Sequence, residues 1–359
     1  MLMIVLILQI ILYFSLRQLL LRPVASGTDT PPADYRALSV FTLDTAFFPQ
    51  PDFLQIHGTA PANTILGLWH NGQFVNSTIS YSQRYIFPAQ YLYPGANQFV
   101  VWAFSDQGKV YKIDSISLNY FSARIALLAI PVDKFNTDQH YLALTFDGGS
   151  TATGADSILQ ILESKRIRST FFLSGDFIKS YPDLVKKLAG LGHELSNHTY
   201  THPHLTNWEQ SRQHSTADGV DRVFVQRQLQ KTDSLFYDLL HQHLKSYWRA
   251  PYGEFNSLIL QWAAEIGYRH IGWTKECDSR DWVADPQSEL YLSPEQFYQY
   301  FMTLEQAGKL KGAILLLHLG TERKSEFIFS ALEKLIDQLQ TKNYQFLTIS
   351  QFFGVCAPL

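Results

Sequence analysis

From Tyr141 onward, short apolar runs alternate with helix-like stretches, and this rhythm constrains the fold more than any other feature of the chain. Tyr141–Phe146, Thr170–Leu173, His193–Ser196, Tyr247–Arg249, Arg269–Trp273, Ala313–Leu317 and a last run near Phe346 are short and carry strand formers. Between them, Ser157–Lys165, Pro182–Leu191, about Val220–Leu244, Ser257–Ile266, a stretch from Pro294 and Phe327–Leu339 read as helices. Repeated β-α units make a parallel sheet, because each helix carries the chain back to the same edge. About seven such strands predict an α/β fold, a closed or nearly closed (β/α) barrel, with functional side chains at the carboxyl ends of the strands.

Residues 36–125 have a different texture. Phe53–Gly58, Ile65–Trp69 and Gln98–Ala103 are strand-like, with turn chemistry at Asn71-Gly72, Pro94–Asn97 and Asp106–Gly108. Closely spaced short strands without a helical period predict a small β-sandwich, a spacer or a binding module. Ahead of it, Met1–Leu16 holds no charged side chain and, with Gln18–Leu21 beyond Arg17, approaches the roughly 20 apolar residues of a bilayer span. Residues 1–22 are therefore expected to be a signal peptide or membrane anchor, 23–35 and 126–140 linkers, and 141–355 the barrel. Arg17 and Arg22 follow the apolar run, which by charge bias alone favours a cytoplasmic downstream side. The motifs below nonetheless lead to an extracytoplasmic expectation, anchored or secreted. A net charge of −3 offers no basic field to nucleic acid. With only Cys277 and Cys356, neither a cysteine-rich zinc site nor a disulfide framework can form.

Chemistry-bearing residues follow the predicted barrel strands. Asp147 ends the first and precedes Gly148-Gly149, where the backbone can turn sharply; its carboxylate can be a general base, a metal ligand or a turn cap. His198 and His202, four apart, can close on one ion. Arg249 can hold a carboxylate by two hydrogen bonds. Asp281, in Asp278–Trp282, can orient an imidazole such as that of His318, while Trp282 can stack on a sugar, exclude water or pack. Singly, each has an ordinary alternative as a surface pair or a core side chain. His193 reads as packing at a strand start, His204 as a solvated loop residue, and His241 and His243 as helix residues. No His-Glu-x-x-His occurs, which argues against that class of metalloprotease.

In this order, Thr145–Gly149, His198–His202, Arg249–Tyr252, Asp278–Trp282 and Leu316–His318 resemble the NodB-type polysaccharide deacetylases, carbohydrate esterase family 4, over about residues 141–354. The all-β part resembles the immunoglobulin-like accessory domains of secreted bacterial enzymes. The resemblance implies metal-dependent hydrolysis of N-acetyl groups on the amino sugars of a glycan: peptidoglycan, chitin-like oligomers or an exopolysaccharide. It implies His198 and His202 as ligands of a divalent metal, zinc first, with cobalt or another transition metal as alternatives. Asp147 becomes the catalytic base, Arg249 the residue holding it, His318 the catalytic acid supported by Asp281, and the Tyr252 backbone N–H an oxyanion donor. The expected partners are a glycan and, through the first segment, a membrane. One departure matters. The family's second aspartate, its third metal ligand, is replaced by Gly148; Ala250, where proline is common, is a minor change. The ion would then rest on two imidazoles and water, on Asp147 in double duty, or on a carboxylate from elsewhere such as Asp156, and weaker metal binding is expected. The alternative is a non-catalytic glycan-binding envelope protein that lost turnover with that ligand.

Overall fold

The computed structural model describes residues 53–93, 95–104, 110–120 and 123–359. The expected signal or anchor segment, the linker at 23–35, the first part of the all-β region and the turn residues at 94 and 106–108 lie outside the described residues. Among the described residues no helix is long and apolar enough to cross a membrane. The described residues fall into two compact units, one ahead of residue 122 and one from Ala123 on.

The first unit is all-β. Strands β1 (Phe53–Thr59) and β4 (Arg84–Tyr91) pair antiparallel; β2 (Ile65–His70), β3 (Gln73–Ile79), β5 (Gly95–Phe104) and β6 (Val110–Tyr120) form a second antiparallel sheet in the order β3-β2-β5-β6. Asn71 and Gly72 join β2 to β3 with φ of 50° and 81°, the two-residue turn whose twist matches a hairpin. Ile56 and Phe87 from one sheet and Leu66, Leu68, Phe99 and Val101 from the other share one core.

The second unit is an α/β half-barrel. After α1 (Ala123–Leu128) come β7 (Tyr141–Gly148), α2 (Ala155–Ser164), β8 (Thr170–Leu173), α3 (Gly175–Ser180), α4 (Pro182–Gly190), β9 (Glu194–Asn197), α5 (Trp208–Ser211) and α6 (Arg222–Leu240). Then follow β10 (Lys245–Trp248), α7 (Ser257–Glu265), β11 (Arg269–His270), α8 (Pro294–Gln306), β12 (Ala313–His318), α9 (Phe329–Thr341), β13 (Gln345–Phe346) and α10 (Ile349–Val355). The sheet runs β11-β10-β9-β8-β7-β12, with β13 also on β7, and every pairing is parallel.

Pleating sorts β7 into two faces. Leu142, Leu144 and Phe146 pack with the core that α2, α8 and α9 cover. Ala143 belongs to the opposite face, with Phe172, Ile271 and Ile314, and Thr145 and Asp147 continue that row. Strand β12 repeats the pattern in register, Ala313, Leu315 and Leu317 joining the helix-side core and His318 standing opposite Asp147.

Three expectations need correction. Residues 126–140 are not a linker: Val132 and Phe135 are fully buried, Val132 bridges to Ile271 and Lys134 to Ala313, so the segment spans the gap between the outer strands. The strand expected from Arg269 to Trp273 stops at His270, because beyond it the backbone pairs with that inserted segment, the Gly272 N–H donating to Val132 O at 3.0 Å. The long helix ends at Leu240, four residues early, with His241 left-handed at its cap; His241 and His243 are therefore not helical.

Candidate active site

At the carboxyl edge of the sheet lies a cavity of about 580 Å³, lined by Asp147, His198, His202, Tyr252, Trp282 and His318 among others. Arg249 and Asp281 stand behind this wall, both buried. All eight residues singled out in the sequence thus converge, from segments up to 171 positions apart in sequence (318 − 147).

Arg249 follows β10 and is fully buried. Its Nη1 donates to Asp147 Oδ1 at 2.7 Å, Nη2 to Thr145 Oγ1 (2.9 Å) and Gly272 O (2.7 Å), and Nε to Ile271 O (3.0 Å). The guanidinium also lies over the Phe172 ring, 4.1 Å from its centroid. A group fixed by four bonds cannot swing, so it orients the Asp147 carboxylate. Burial by itself would raise the Asp147 pKa; the charges of Arg249, His198 and His318 outweigh it and leave the group below the usual carboxylate value.

His198 begins the loop after β9. Its Nδ1 bonds to Arg249 O at 2.9 Å. A carbonyl only accepts, so Nδ1 carries the proton and Nε2 keeps its lone pair, 3.5 Å from Asp147 Oδ2. The His202 ring stands 4.8 Å from that of His198, centroid to centroid, at 74°. Burial lowers the pKa of His198 and takes His202 down to about 3. Both imidazoles are neutral at neutral pH, the form a metal ion needs.

The pair therefore fits a divalent ion as two nitrogen donors. Among the described residues, no set of three or more His, Cys, Asp or Glu side chains is gathered closely enough to hold one. Position 148 supplies nothing, because glycine has no side chain. It follows Leu142, Leu144 and Phe146 on the helix-side face, and a Cβ there would meet Leu173 Cδ2 at 2.8 Å and Phe177 Cδ1 at 3.2 Å. Asp156 is no substitute: it lies exposed on α2 and pairs with Lys187 at 2.8 Å.

His318 ends β12. Its ring Nδ1 bonds to Asp281 Oδ1 (2.7 Å), and its backbone N–H donates to Asp281 Oδ2 (2.8 Å). Burial pulls the ring toward neutrality, but the Asp281 charge and hydrogen bond, with Asp147 and Asp278, overcome it and lift the pKa to about 9. Trp282 is 48% exposed at the cavity mouth, its Nε1 donating to Asp278 Oδ2 at 3.2 Å. Tyr252 sits in a tight turn, Pro251–Gly253, and also lines the cavity.

Sequence reasoning missed Ser150, Thr151, Asp176, Thr201 and Trp273 in the cavity wall, and gave Asp278 no task of its own. Their one sequence signal is a place just past a strand end or beside a motif. His204 is a loop residue, partly exposed, but it is also held: its Nδ1 bonds to the buried Glu254 at 2.9 Å and its ring lies on Tyr252. His193 does pack at the start of β9, against Phe171, and accepts from Ser169 N at 3.2 Å.

A family model for polysaccharide deacetylase matches residues 134–271. A chitooligosaccharide deacetylase of Rhizobium leguminosarum bv. trifolii is 31% identical over 159 residues, 44% of this chain and 67% of its own. The chain belongs to the polysaccharide deacetylase family. It is a hydrolase of that family. A peptidoglycan-N-acetylglucosamine deacetylase of Bacillus cereus is 28% identical to this deacetylase over 212 residues, 59% of this chain and 68% of the relative. The solved structure of Bacillus subtilis PdaA, a family 4 carbohydrate esterase, aligns with a TM-score of 0.51 at 26% identity, over 64% of this chain and 87% of that one. The stretch matched by the family model contains Asp147, His198, His202, Arg249 and Tyr252; Asp281, Trp282 and His318 follow it.

Proposed function

We propose that this deacetylase removes N-acetyl groups from amino sugars of an extracytoplasmic glycan: peptidoglycan, a chitin-like oligomer or an exopolysaccharide. One observation carries the reading. Asp147 and His318 face the same cavity, each held by a buried partner at 2.7 Å, Arg249 and Asp281, whose charges favour a carboxylate on the first and a protonated ring on the second. Such a pair supplies a base and an acid together at neutral pH. The relatives' substrates support the choice of glycan.

In this reading Asp147, held by Arg249, takes the proton of the attacking water. The carbonyl oxygen gains charge as the tetrahedral centre forms, and the Tyr252 backbone N–H donates to it. His318, oriented by Asp281, gives its proton to the departing amine nitrogen. Trp282 offers an apolar face to the sugar. His198 and His202 would hold a divalent ion, zinc or a similar metal, which when bound polarises the acetyl carbonyl and acidifies water. Residues 1–22 would attach the protein to a membrane or direct its export, and the all-β unit would act as a spacer or glycan-binding module.

The absence of a side chain at Gly148 favours a second reading, a glycan-binding protein without turnover. Acetate release from a panel of N-acetylated glycans, with zinc or cobalt added, separates the two. Release that disappears in Asp147→Asn supports hydrolysis. Glycan binding untouched by Asp147→Asn, with no acetate from the folded, metal-supplied wild type, supports the second.

A further inference from the structure

Tyr252 has φ 58° and ψ 8°, left-handed values that a bulky side chain adopts only when its surroundings impose them. Within its turn the Gly253 N–H donates to Ala250 O (3.1 Å) and the Glu254 N–H to Pro251 O (3.0 Å). The Tyr252 N–H has no protein partner among the described residues. A strained turn with a spare donor beside a cavity must be held by something, and the neighbouring contacts identify what.

The Tyr252 ring lies flat on His204, centroids 4.0 Å apart and planes within 3°, and meets His202 at 4.7 Å. His204 is gripped in turn, Nδ1 bonding to Glu254 Oε1 at 2.9 Å while Nε2 lies 3.3 Å from Glu209. Glu254 is 3% exposed, and its second oxygen accepts from the Thr206 N–H (3.3 Å) and Oγ1 (3.2 Å). From the other side Trp273 closes against Gly253, where a Cβ would come within 2.7 Å of the ring. A buried carboxylate thus ties the 250–254 turn to the 204–206 segment, and the histidine between them supports the tyrosine ring.

We propose that His204 and Glu254 are positioning residues: they keep Tyr252 in its strained turn, so that its unpaired N–H is fixed for the transition-state oxygen. The proposal rests on the deacetylase reading above. A donor that is preorganised acts on the rate and not on ground-state binding. A small displacement of such a donor costs about ten- to hundredfold in rate.

The test uses full-length His204→Ala and Glu254→Gln, followed by acetate release and by hydrogen exchange over residues 250–254. The expected result is a kcat lowered about ten- to hundredfold, a KM within about twofold of wild type and faster local exchange; Tm falls as well, since His204→Ala leaves the buried Glu254 carboxylate short of a partner, so the kinetics are read well below it. Tyr252→Gly supplies the decisive background, since glycine needs no support at positive φ. There, adding His204→Ala should cost less than about twofold further. Should His204→Ala fail to fold, His204→Phe, which keeps the stack and loses the Glu254 bond, shows the same exchange and kcat effects in weaker form. A KM rise matching the loss in kcat/KM overturns the proposal, as does an undiminished His204→Ala loss in the Tyr252→Gly background or unchanged local exchange. A wild type that releases no acetate defeats the deacetylase reading instead, and the exchange measurement still decides whether the clamp exists.

Discussion

Substituting Asp281 by Asn removes a charge while keeping the shape, and the consequence follows from two bonds. Asp281 accepts from the His318 ring at 2.7 Å and from its backbone N–H at 2.8 Å. Burial drives this ring toward the neutral form; Asp281 is the main opposing group, and the balance stands at about 9. Because the pKa is raised, His318 is protonated below that pH and carries the proton the leaving amine needs. Its stabilisation of the fold is likewise complete below the unfolded value of 6.5 and lost as pH rises through about 9. Without the Asp281 carboxylate, burial is opposed chiefly by Asp147 and Asp278, and the ring should titrate at or below its ordinary value. At about pH 7.5 roughly one molecule in ten would then hold the proton, so kcat falls about tenfold from protonation alone, and further as orientation is lost. The deficit should shrink toward about pH 5.5, and the alkaline limb of the kcat profile should move down by at least about 2.5 units. The assay is acetate release from a soluble N-acetylated glycan across about pH 5 to 10, both proteins at equal metal loading. A variant whose alkaline limb stays near that of the wild type would refute the reasoning, since Asp281 would then not be what keeps the acid loaded.

Arg249→Met leaves Asp147 buried without its guanidinium and should destabilise the fold by about 3–5 kcal/mol while abolishing turnover; a denaturant midpoint equal to wild type would contradict this. Gly148→Asp starts from a Cβ on the helix-side face, where the flexible end of Leu173 must shift and Phe177 must give slightly. The expected signature is a loss of about 1–3 kcal/mol of stability and no gain in zinc affinity by competition titration, and a clear gain would show the carboxylate turning into the cavity. With two imidazole donors, wild-type protein should lose zinc during prolonged dialysis, and stoichiometric retention would count against that prediction. His270 is buried with both ring nitrogens unpartnered and a pKa pushed down to about 3 by burial. The unfolded chain takes up a proton there that the folded one refuses, so stability is fully present above 6.5 and declines as pH falls from 6.5 toward about 3. His270→Phe should make the dependence of Tm on pH in that window shallower, the slope left by His193, His198 and His202 remaining, and raise stability at neutral pH by about 1–3 kcal/mol.

Local pattern alone determined the order and type of most elements here. Thr170–Leu173 is a strand with the boundaries its composition suggests, and Pro182 and Ser257 each begin the helix expected of them. Hydrophobic period and turn chemistry are properties of neighbouring residues, so one chain suffices to read them. The five motifs likewise point to the proposed chemistry: four stand where a parallel strand ends, and Asp278–Trp282 lies in the loop after β11, bridged to Leu316. The facing of side chains and the meeting of distant segments were decided only by the tertiary structure. Residues 126–140 read as a linker yet bridge to both ends of the sheet through Val132 and Lys134. Asp176 reaches the cavity wall from a six-residue helix too short for its period to show. His204 lies fifty positions from the carboxylate that holds it, and Gly148 has its helix-side facing set by the pleat and its surroundings by β8 and α3. Contacts of this kind have no local signature, because loop closure and packing, not sequence neighbourhood, select which groups come together.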